Sequence, residues 1–164
     1  VLDRIENEIE ARYREGKEFL IILSVGGNDA LYFNDEERVM VPEEEFRENL
    51  KTIIDISKEY GEKVVFVGGT PADYSKLDPL PWDKSKSYKK KHREHYYDIV
   101  GQICEDQNIP FTDFRENLEK DFKKHLVGGI HPNTEGHRKI FEIVKPEIFD
   151  KIEFELSNQT SLGE

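Results

Sequence analysis

Apolar and polar residues alternate along this chain with two different periods. A helical spacing predicts helices over residues 1–15, 43–60, 86–107 and 115–125, and a last helix through Ile140, Ile143 and Val144 that is broken or restarted at Pro146. Between the helical stretches stand apolar runs of strand length: Phe19–Val25, Lys63–Val67 and Ile109–Asp113. Continuous runs of this kind are typical of strands that are covered on both faces. Strands that alternate with helices predict βαβ units, and therefore an α/β fold with a parallel sheet.

Composition and charge exclude several classes of protein. The chain has 164 residues, and we expect one domain over residues 1–156 with a flexible tail over 157–164. The net charge of −11 argues against a nucleic-acid partner, because phosphates would be repelled. The single cysteine, Cys104, rules out an intrachain disulfide and is expected in the core. No apolar run is long enough to span a membrane and no signal peptide is visible, so the sequence predicts a cytoplasmic protein.

A polar loop directly follows the first predicted strand. Gly26, Gly27, Asn28 and Asp29 stand where that strand ends, and residues 68–71 hold the same place after the second strand. In open α/β sheets, ligands bind at the carboxyl ends of the strands. The glycines allow a tight turn, and an asparagine amide there can donate to an oxygen that gains negative charge in a transition state. The alternative is that Asn28 or Asp29 only caps a turn.

A histidine stands in a second polar loop, near the end of the chain. Residues 128–137 read GGIHPNTEGH and lie between two helical patterns. Pro132 keeps the preceding residue out of the helical region and is expected to exclude a strand ladder, which leaves His131 extended at a loop tip. Asn133 or Thr134 is expected to cap the helix that follows. Because an imidazole titrates near neutral pH, His131 suits a general base; the alternative is a polar loop residue without chemistry.

Together the two loops resemble one known family. Residues 26–29 match the G-x-N-D block of the SGNH (GDSL-type) hydrolases, and residues 131–137 match their D-x-x-H-P-N-x-x-G-H block from the histidine onward. The resemblance covers roughly residues 1–148. It implies a flavodoxin-like three-layer α/β/α fold with a parallel sheet. It also implies a carboxylesterase, lipase or acylhydrolase that cleaves a small acyl ester with a serine nucleophile.

The same resemblance implies roles for three residues of this sequence. Asn28 would be an oxyanion-hole donor, His131 the general base, and Gly26 the residue that permits the turn of the oxyanion loop. If so, the Asn28 amide and the His131 ring should face one shallow crevice at the carboxyl ends of the strands.

Two departures from the family pattern bear on activity. The family's G-D-S nucleophile block has no match, because every serine lacks that context: Ser24, Ser57, Ser75, Ser85, Ser87, Ser157 and Ser161. The family's second glycine block is also absent. Gly128 stands where the family places the acid that orients the histidine, although some serine hydrolases work with a dyad. The sequence therefore predicts an ester hydrolase fold that lacks its first two strands and is inactive alone. The alternatives are a catalytically dead member that binds an ester or glycan, and a folding unit of a larger assembly.

A sheet without its first two strands would leave Phe19–Val25 as an edge. Such an edge is a template for pairing with another chain. The 164-residue chain alone is therefore expected to aggregate, to be partly unfolded, or to be completed by something else. The candidates are an N-terminal fragment, a swapped copy, or the stretch Lys151–Glu155 folding back as a strand.

Several other features have two readings each. His92 and His95 have a spacing that can bind a metal, but the neighbouring lysines favour a solvated helix face. Trp82 with Tyr74 and Tyr88 can line an acyl or sugar pocket, or pack the long loop down, which we favour. Neither a metal nor another cofactor is expected. The glycosylation sequon at Asn158 is discounted for want of a secretion signal.

Overall fold

The fold alternates helices with strands, as the pattern predicts. The computed structural model describes residues 1–15, 19–61, 63–118 and 120–146. Its α-helices are α1 (Leu2–Glu10), α2 (Glu43–Tyr60), α3 (Lys90–Asp106), α4 (Phe114–Asn117) and α5 (Thr134–Lys145). Its strands are β1 (Leu20–Leu23), β2 (Tyr32–Phe33), β3 (Arg38–Val39), β4 (Lys63–Gly68), β5 (Lys86–Ser87), β6 (Phe111–Asp113), β7 (Leu126–Val127) and β8 (His131–Pro132).

The three predicted apolar runs form one parallel sheet in the order β1-β4-β6. Leu23 is paired with Phe66, and Phe66 with Phe111, so aromatic side chains cross the middle of the sheet. Helices α2 and α3 pack on one face, where Leu50 and Val100 are buried with Phe66. Helix α5 packs on the other face through its predicted apolar positions, Ile140, Ile143 and Val144. The layers are helix, sheet and helix, which confirms the predicted three-layer α/β/α class.

Strand β1 differs from the prediction of a strand covered on both faces. Ile21 and Leu23 are buried, but Ile22 is 47% exposed. Buried and exposed side chains therefore alternate along β1, as in a strand with only one face covered. Among the described strands, β1 stands at one end of the sheet, next to β4 only. The expectation that a further strand pairs with this edge stays a prediction.

Several helix boundaries also differ from the prediction. Helix α1 ends at Glu10 and not at residue 15, because only Ile5 and Ile9 of its apolar face are buried in the core. Tyr13 lies beyond the helix end and is exposed. Helix α3 begins at Lys90 and not at residue 86, since Lys86–Ser87 pairs with β2 instead. With β3, these strands form a small antiparallel sheet that the sequence analysis missed.

The region before α5 has less helix than predicted, followed by a hairpin where a loop was predicted. In the stretch 115–125, the described residues form the end of α4 and a 3₁₀ turn, Phe122–His125. Strands β7 and β8 then pair, with Leu126 opposite Pro132, so the expectation that Pro132 excludes a ladder was wrong. Proline lacks a donor but keeps its carbonyl acceptor, which a two-residue strand tolerates. Asn133 caps α5, as one alternative predicted: its Oδ1 accepts from the Gly136 N–H at 2.9 Å.

The structure tests some of the remaining predictions, and others fall on residues that it does not describe. Cys104 is buried in the core as expected, and burial raises the pKa of its thiol to about 12. Helix α5 ends at Lys145, just before Pro146. Lys151–Glu155, the sequon and the tail 157–164 lie outside the described residues. Within the described ranges, no helix combines the length and the apolar content needed to cross a membrane.

Candidate active site

The loop after β1 is a tight turn that presents Asn28. Gly26 has a φ of +103°, and a Cβ there would lie 3.1 Å from the Phe46 ring, so only glycine fits without strain. The Asn28 carbonyl accepts from the Leu31 N–H at 3.0 Å and closes the turn. These constraints hold the Asn28 side chain at the carboxyl end of β1.

A buried tyrosine orients the Asn28 side chain. The Tyr88 hydroxyl donates to Asn28 Oδ1 at 2.8 Å, across 60 positions of sequence. Tyr88 is only 8% exposed, and burial raises the pKa of its phenol, so the hydroxyl stays a donor at neutral pH. With Oδ1 occupied in this way, the amide Nδ2 is left to donate to a ligand. In the described part of the chain, the hydrogen bond that Asn28 Oδ1 accepts is from Tyr88 and not from a backbone N–H of its own turn.

The candidate base is held less firmly. His131 begins β8, opposite Val127 of β7, and its side chain is exposed. No hydrogen bond or ion pair to another described residue fixes its ring. The turn between the strands has positive φ at Gly128 (+62°) and Gly129 (+86°). A Cβ at Gly128 would meet nothing within 4 Å, so the position where the family resemblance places an acid has open space beside it.

Asn28 and His131 line the same crevice, as the sequence analysis expected. The crevice is a cavity of about 550 Å³ beyond the carboxyl end of β1, and Gly26 also lines it. Ser24 is the one serine among its described lining residues. The Ser24 hydroxyl makes no hydrogen bond to His131, so these two residues do not form the pair that an activated nucleophile requires.

The aromatic residues of the long loop divide between packing and the crevice. Tyr74 packs against the buried cluster of Leu77 and Leu80, as the packing alternative predicted. Tyr88 is buried in the same cluster but also lines the crevice, so both alternatives hold for it. Trp82 is 61% exposed and lines the crevice, so packing was the wrong alternative for it. Its indole therefore offers an apolar surface to a ligand at the mouth of the site.

Arg93 is the residue of this site that the sequence analysis missed. It lies on α3, is 5% exposed, and also lines the crevice. Its Nη1 donates to the Thr70 carbonyl at 2.7 Å, and its guanidinium lies 5.3 Å from the centre of the Tyr97 ring. The sequence did hold a signal for a buried Arg93. Arg93 stands four positions before Tyr97 and seven before Val100, a spacing that places all three on the same, buried face of the helix.

The two histidines on α3 have partners other than a metal. His92 stacks on Tyr32 with 5.0 Å between ring centroids, and burial lowers its pKa. His95 Nε2 lies 2.7 Å from Glu43 Oε2, and the hydrogen bond lowers the pKa of that carboxyl. In the described part of the chain, no group of three or more potential ligand side chains is placed to hold a metal ion.

Comparison with known proteins gives a family and a fold. The model of the GDSL-like lipase/acylhydrolase family matches residues 2–144. A putative acylhydrolase from Bacteroides fragilis is similar in structure, with a TM-score of 0.68 and 16% identity, over 92% of this chain and 68% of its own. A GDSL-like lipase from Bacteroides thetaiotaomicron has a TM-score of 0.64 and 18% identity, over 92% and 69%.

An acetylxylan esterase from Geobacillus stearothermophilus, solved as a catalytic mutant, has a TM-score of 0.62 and 19% identity, over 90% of this chain and 65% of its own. The chain thus spans about two thirds of the length of each of these three structures. No functionally curated protein is similar enough in sequence to count as a relative. At these identities the structural similarity establishes the fold.

Proposed function

Because the chain belongs to the GDSL-like lipase/acylhydrolase family, we propose that its crevice hydrolyses an ester of a small acyl group. Asn28 acts as an oxyanion donor and His131 as the general base. One observation carries this assignment: the amide that Tyr88 orients lines the same crevice as the exposed imidazole. The proposal gives each of the two matched loops one role at a shared site.

The proposed chemistry follows from what each group can do. A serine hydroxyl attacks the ester carbonyl while His131 takes its proton, and the carbonyl oxygen becomes an anion. The Asn28 Nδ2 donates to that oxygen more strongly than to the neutral carbonyl, which lowers the barrier. Collapse of the tetrahedral intermediate expels the alcohol, which receives the proton from His131, and leaves the acyl group on the serine. A water molecule that His131 deprotonates then attacks the acyl group, and the acid is released as the serine regains its proton. Gly26 contributes by allowing the turn that holds Asn28 in place.

The nucleophile is the part of the mechanism that the 164 residues do not supply. None of their serines has the family's G-D-S context, and Ser24 is not hydrogen-bonded to His131. We propose that the 164-residue chain alone is inactive and that a serine enters the crevice from a further segment or a second copy. The edge of β1 is a candidate place for such a strand to pair. Size-exclusion chromatography and thermal unfolding of this chain alone check that idea: a soluble monomer that unfolds cooperatively and leaves β1 as a bare edge would contradict it.

A second candidate function is ligand binding without hydrolysis. Two observations favour it: Gly128 replaces the orienting acid, and no described residue fixes the His131 ring. The exposed Trp82 at the crevice suits an apolar or sugar-like ligand, and the acetylxylan esterase neighbour makes an acetylated sugar a reasonable first choice.

The decisive experiment is an esterase assay on the complete gene product that contains these residues. With p-nitrophenyl acetate, we expect Asn28→Ala to lower kcat by roughly 100- to 1,000-fold, the loss typical of one oxyanion donor. His131→Ala should cost about 100-fold or more, as for a general base. His137→Ala is the matched control, since this exposed histidine of the same motif lies outside the lining of the crevice. Full activity of His131→Ala would rule out the proposed base.

A further inference from the structure

A second cavity adjoins the candidate active site. It has a volume of about 400 Å³ and lies beyond the carboxyl end of β4, where Gly69 to Ala72 form part of its wall. Arg93 and Tyr97 line both this cavity and the crevice. The two cavities are therefore neighbours, and Arg93 and Tyr97 are the side chains that they share.

The second cavity is basic, although the chain as a whole is acidic. The sequence has 35 acidic and 24 basic residues, yet the cavity is lined by Lys90, Arg93, Arg115 and Lys123 against the single carboxylate of Glu94. Arg115 is neutralised by ion pairs to Asp113 and Asp98. The closest approach of Lys90 to Glu94 is 3.6 Å, between side chains that are 67% and 41% exposed. The cavity thus keeps a surplus of positive charge, to which Arg93 and Lys123 contribute.

Arg93 is the strongest sign that this charge has a ligand. The side chain is 5% exposed and forms no ion pair with any described carboxylate. Its Nη1 is bonded to the Thr70 carbonyl, but its Nε has no hydrogen-bond partner. Burying a charge without a counter-charge is costly, and native proteins pair such groups or use them to bind ligands. A purely structural residue at this position of α3 would be apolar, like its neighbours on the same face.

We propose that the second cavity binds an anionic group of the substrate, a carboxylate or a phosphate, through Arg93 and Lys123. Its substrate is then an ester whose acyl or alcohol part carries negative charge a few atoms from the ester bond. The substrate assignment rests on the proposed ester hydrolysis, whereas the anion site stands on the cavity and its charges. An anion fits because a guanidinium forms short, charge-assisted hydrogen bonds to carboxylate and phosphate oxygens.

The anion site is tested by calorimetric titration of the complete gene product with inorganic phosphate and, separately, with succinate. We expect saturable binding of at least one of them, weakened about tenfold or more by Arg93→Gln, because a charged hydrogen bond is lost. Lys123→Gln should weaken it several-fold. Lys51→Gln, the same charge change at an exposed position of α2 outside the cavity, should leave it unchanged. If Arg93→Gln does not fold, Arg93→Lys with Lys123→Gln decides the question.

Absence of saturable binding for both anions would overturn the anion site, as would equal weakening by Lys51→Gln. The substrate class is tested with two esters of equal carbon count, p-nitrophenyl hemisuccinate and p-nitrophenyl butyrate. We expect kcat/KM about tenfold higher for the charged ester, and this preference should disappear in Arg93→Gln. Equal rates for both esters would overturn the substrate assignment. No hydrolysis of either ester, with anion binding intact, would overturn the proposed function while supporting the anion site.

Discussion

The two loops that meet at the crevice are held to very different degrees. On the Asn28 side, Gly26 is packed against Phe46, and the Tyr88 hydroxyl fixes the side-chain amide. On the His131 side, the ring has no partner among the described residues, and the space beside Gly128 is empty. One half of the proposed site is preorganised, and the other half lacks the group that would orient it.

The difference shows what a sequence motif does and does not guarantee. The first loop matches the family's block throughout and the second matches from the histidine onward, but catalytic geometry depends on the neighbours that lock a side chain in place. Tyr88 is such a neighbour for Asn28, and it belongs to neither motif. His131 matches its motif equally well, yet the residue that should support it is the one that the motif has lost.

Replacing a glycine by alanine in each of the two turns should give the largest difference between the two loops. Gly26→Ala places a methyl group 3.1 Å from the Phe46 ring at a φ of +103°, whereas Gly128→Ala meets open space at +62°. We expect Gly26→Ala to lower the free energy of unfolding by about 2–3 kcal/mol and Gly128→Ala by about 1 kcal/mol. Urea unfolding of the complete gene product measures both.

Gly26→Ala should also lower kcat on p-nitrophenyl acetate, since the turn that carries Asn28 must shift. Equal losses of stability in the two variants would show that the first loop is no more constrained than the second. A stable Gly26→Ala variant with normal kcat would remove the argument that this turn positions the amide.

Removing the Tyr88 hydroxyl should make the first loop resemble the second. Tyr88→Phe leaves Asn28 Oδ1 without its donor, so the amide can rotate away from the oxyanion. We expect kcat on p-nitrophenyl acetate to fall about tenfold with KM nearly unchanged, the loss expected for one hydrogen bond. Tyr96→Phe is the matched control, because it also deletes a buried hydroxyl, one that donates to the Val41 carbonyl away from the crevice. A normal kcat in Tyr88→Phe would mean that Asn28 needs no anchor.

Much of the fold was predictable because it is carried by long, strongly patterned segments. Helix α2 has the predicted bounds, Glu43–Tyr60, and the apolar run from Lys63 forms β4. Strands of two residues, such as β2 and β5, carry no period to recognise, so the small antiparallel sheet was missed. The over-long prediction for α3 has the same cause, because its first residues belong to that sheet.

The candidate site was predictable as two loops but not as a site with supporting residues. The strands of a parallel sheet end at the same edge, where the Asn28 and His131 loops were both expected, and that inference needs only the order of the elements. The bond from Tyr88 to Asn28 joins residues 60 positions apart, and no local pattern encodes it. Arg93 was hidden in a run of lysines and histidines that reads as a solvated helix face, although Arg93 itself points inward.

An acid at position 128 should orient His131, as Tyr88 orients Asn28. We expect the resulting gain in rate to be smaller than the losses predicted above. Gly128 has a φ of +62°, which aspartate tolerates better than most residues, and its Cβ would have free space. It lies in the turn that joins Val127 to the hairpin partner His131. In the active gene product, we expect Gly128→Asp to raise kcat/KM on p-nitrophenyl acetate by about three- to tenfold, because a carboxylate holds the imidazole tautomer and stabilises the imidazolium.

Gly128→Asn is the matched control for this gain. It has nearly the same size and the same tolerance of positive φ, but it brings no charge, so it should leave the rate near that of the parent. A gain in both variants would point to rigidity of the hairpin turn and not to the carboxylate. An unchanged rate in Gly128→Asp would show that His131 already has another orienting partner, or that His131 is not the base.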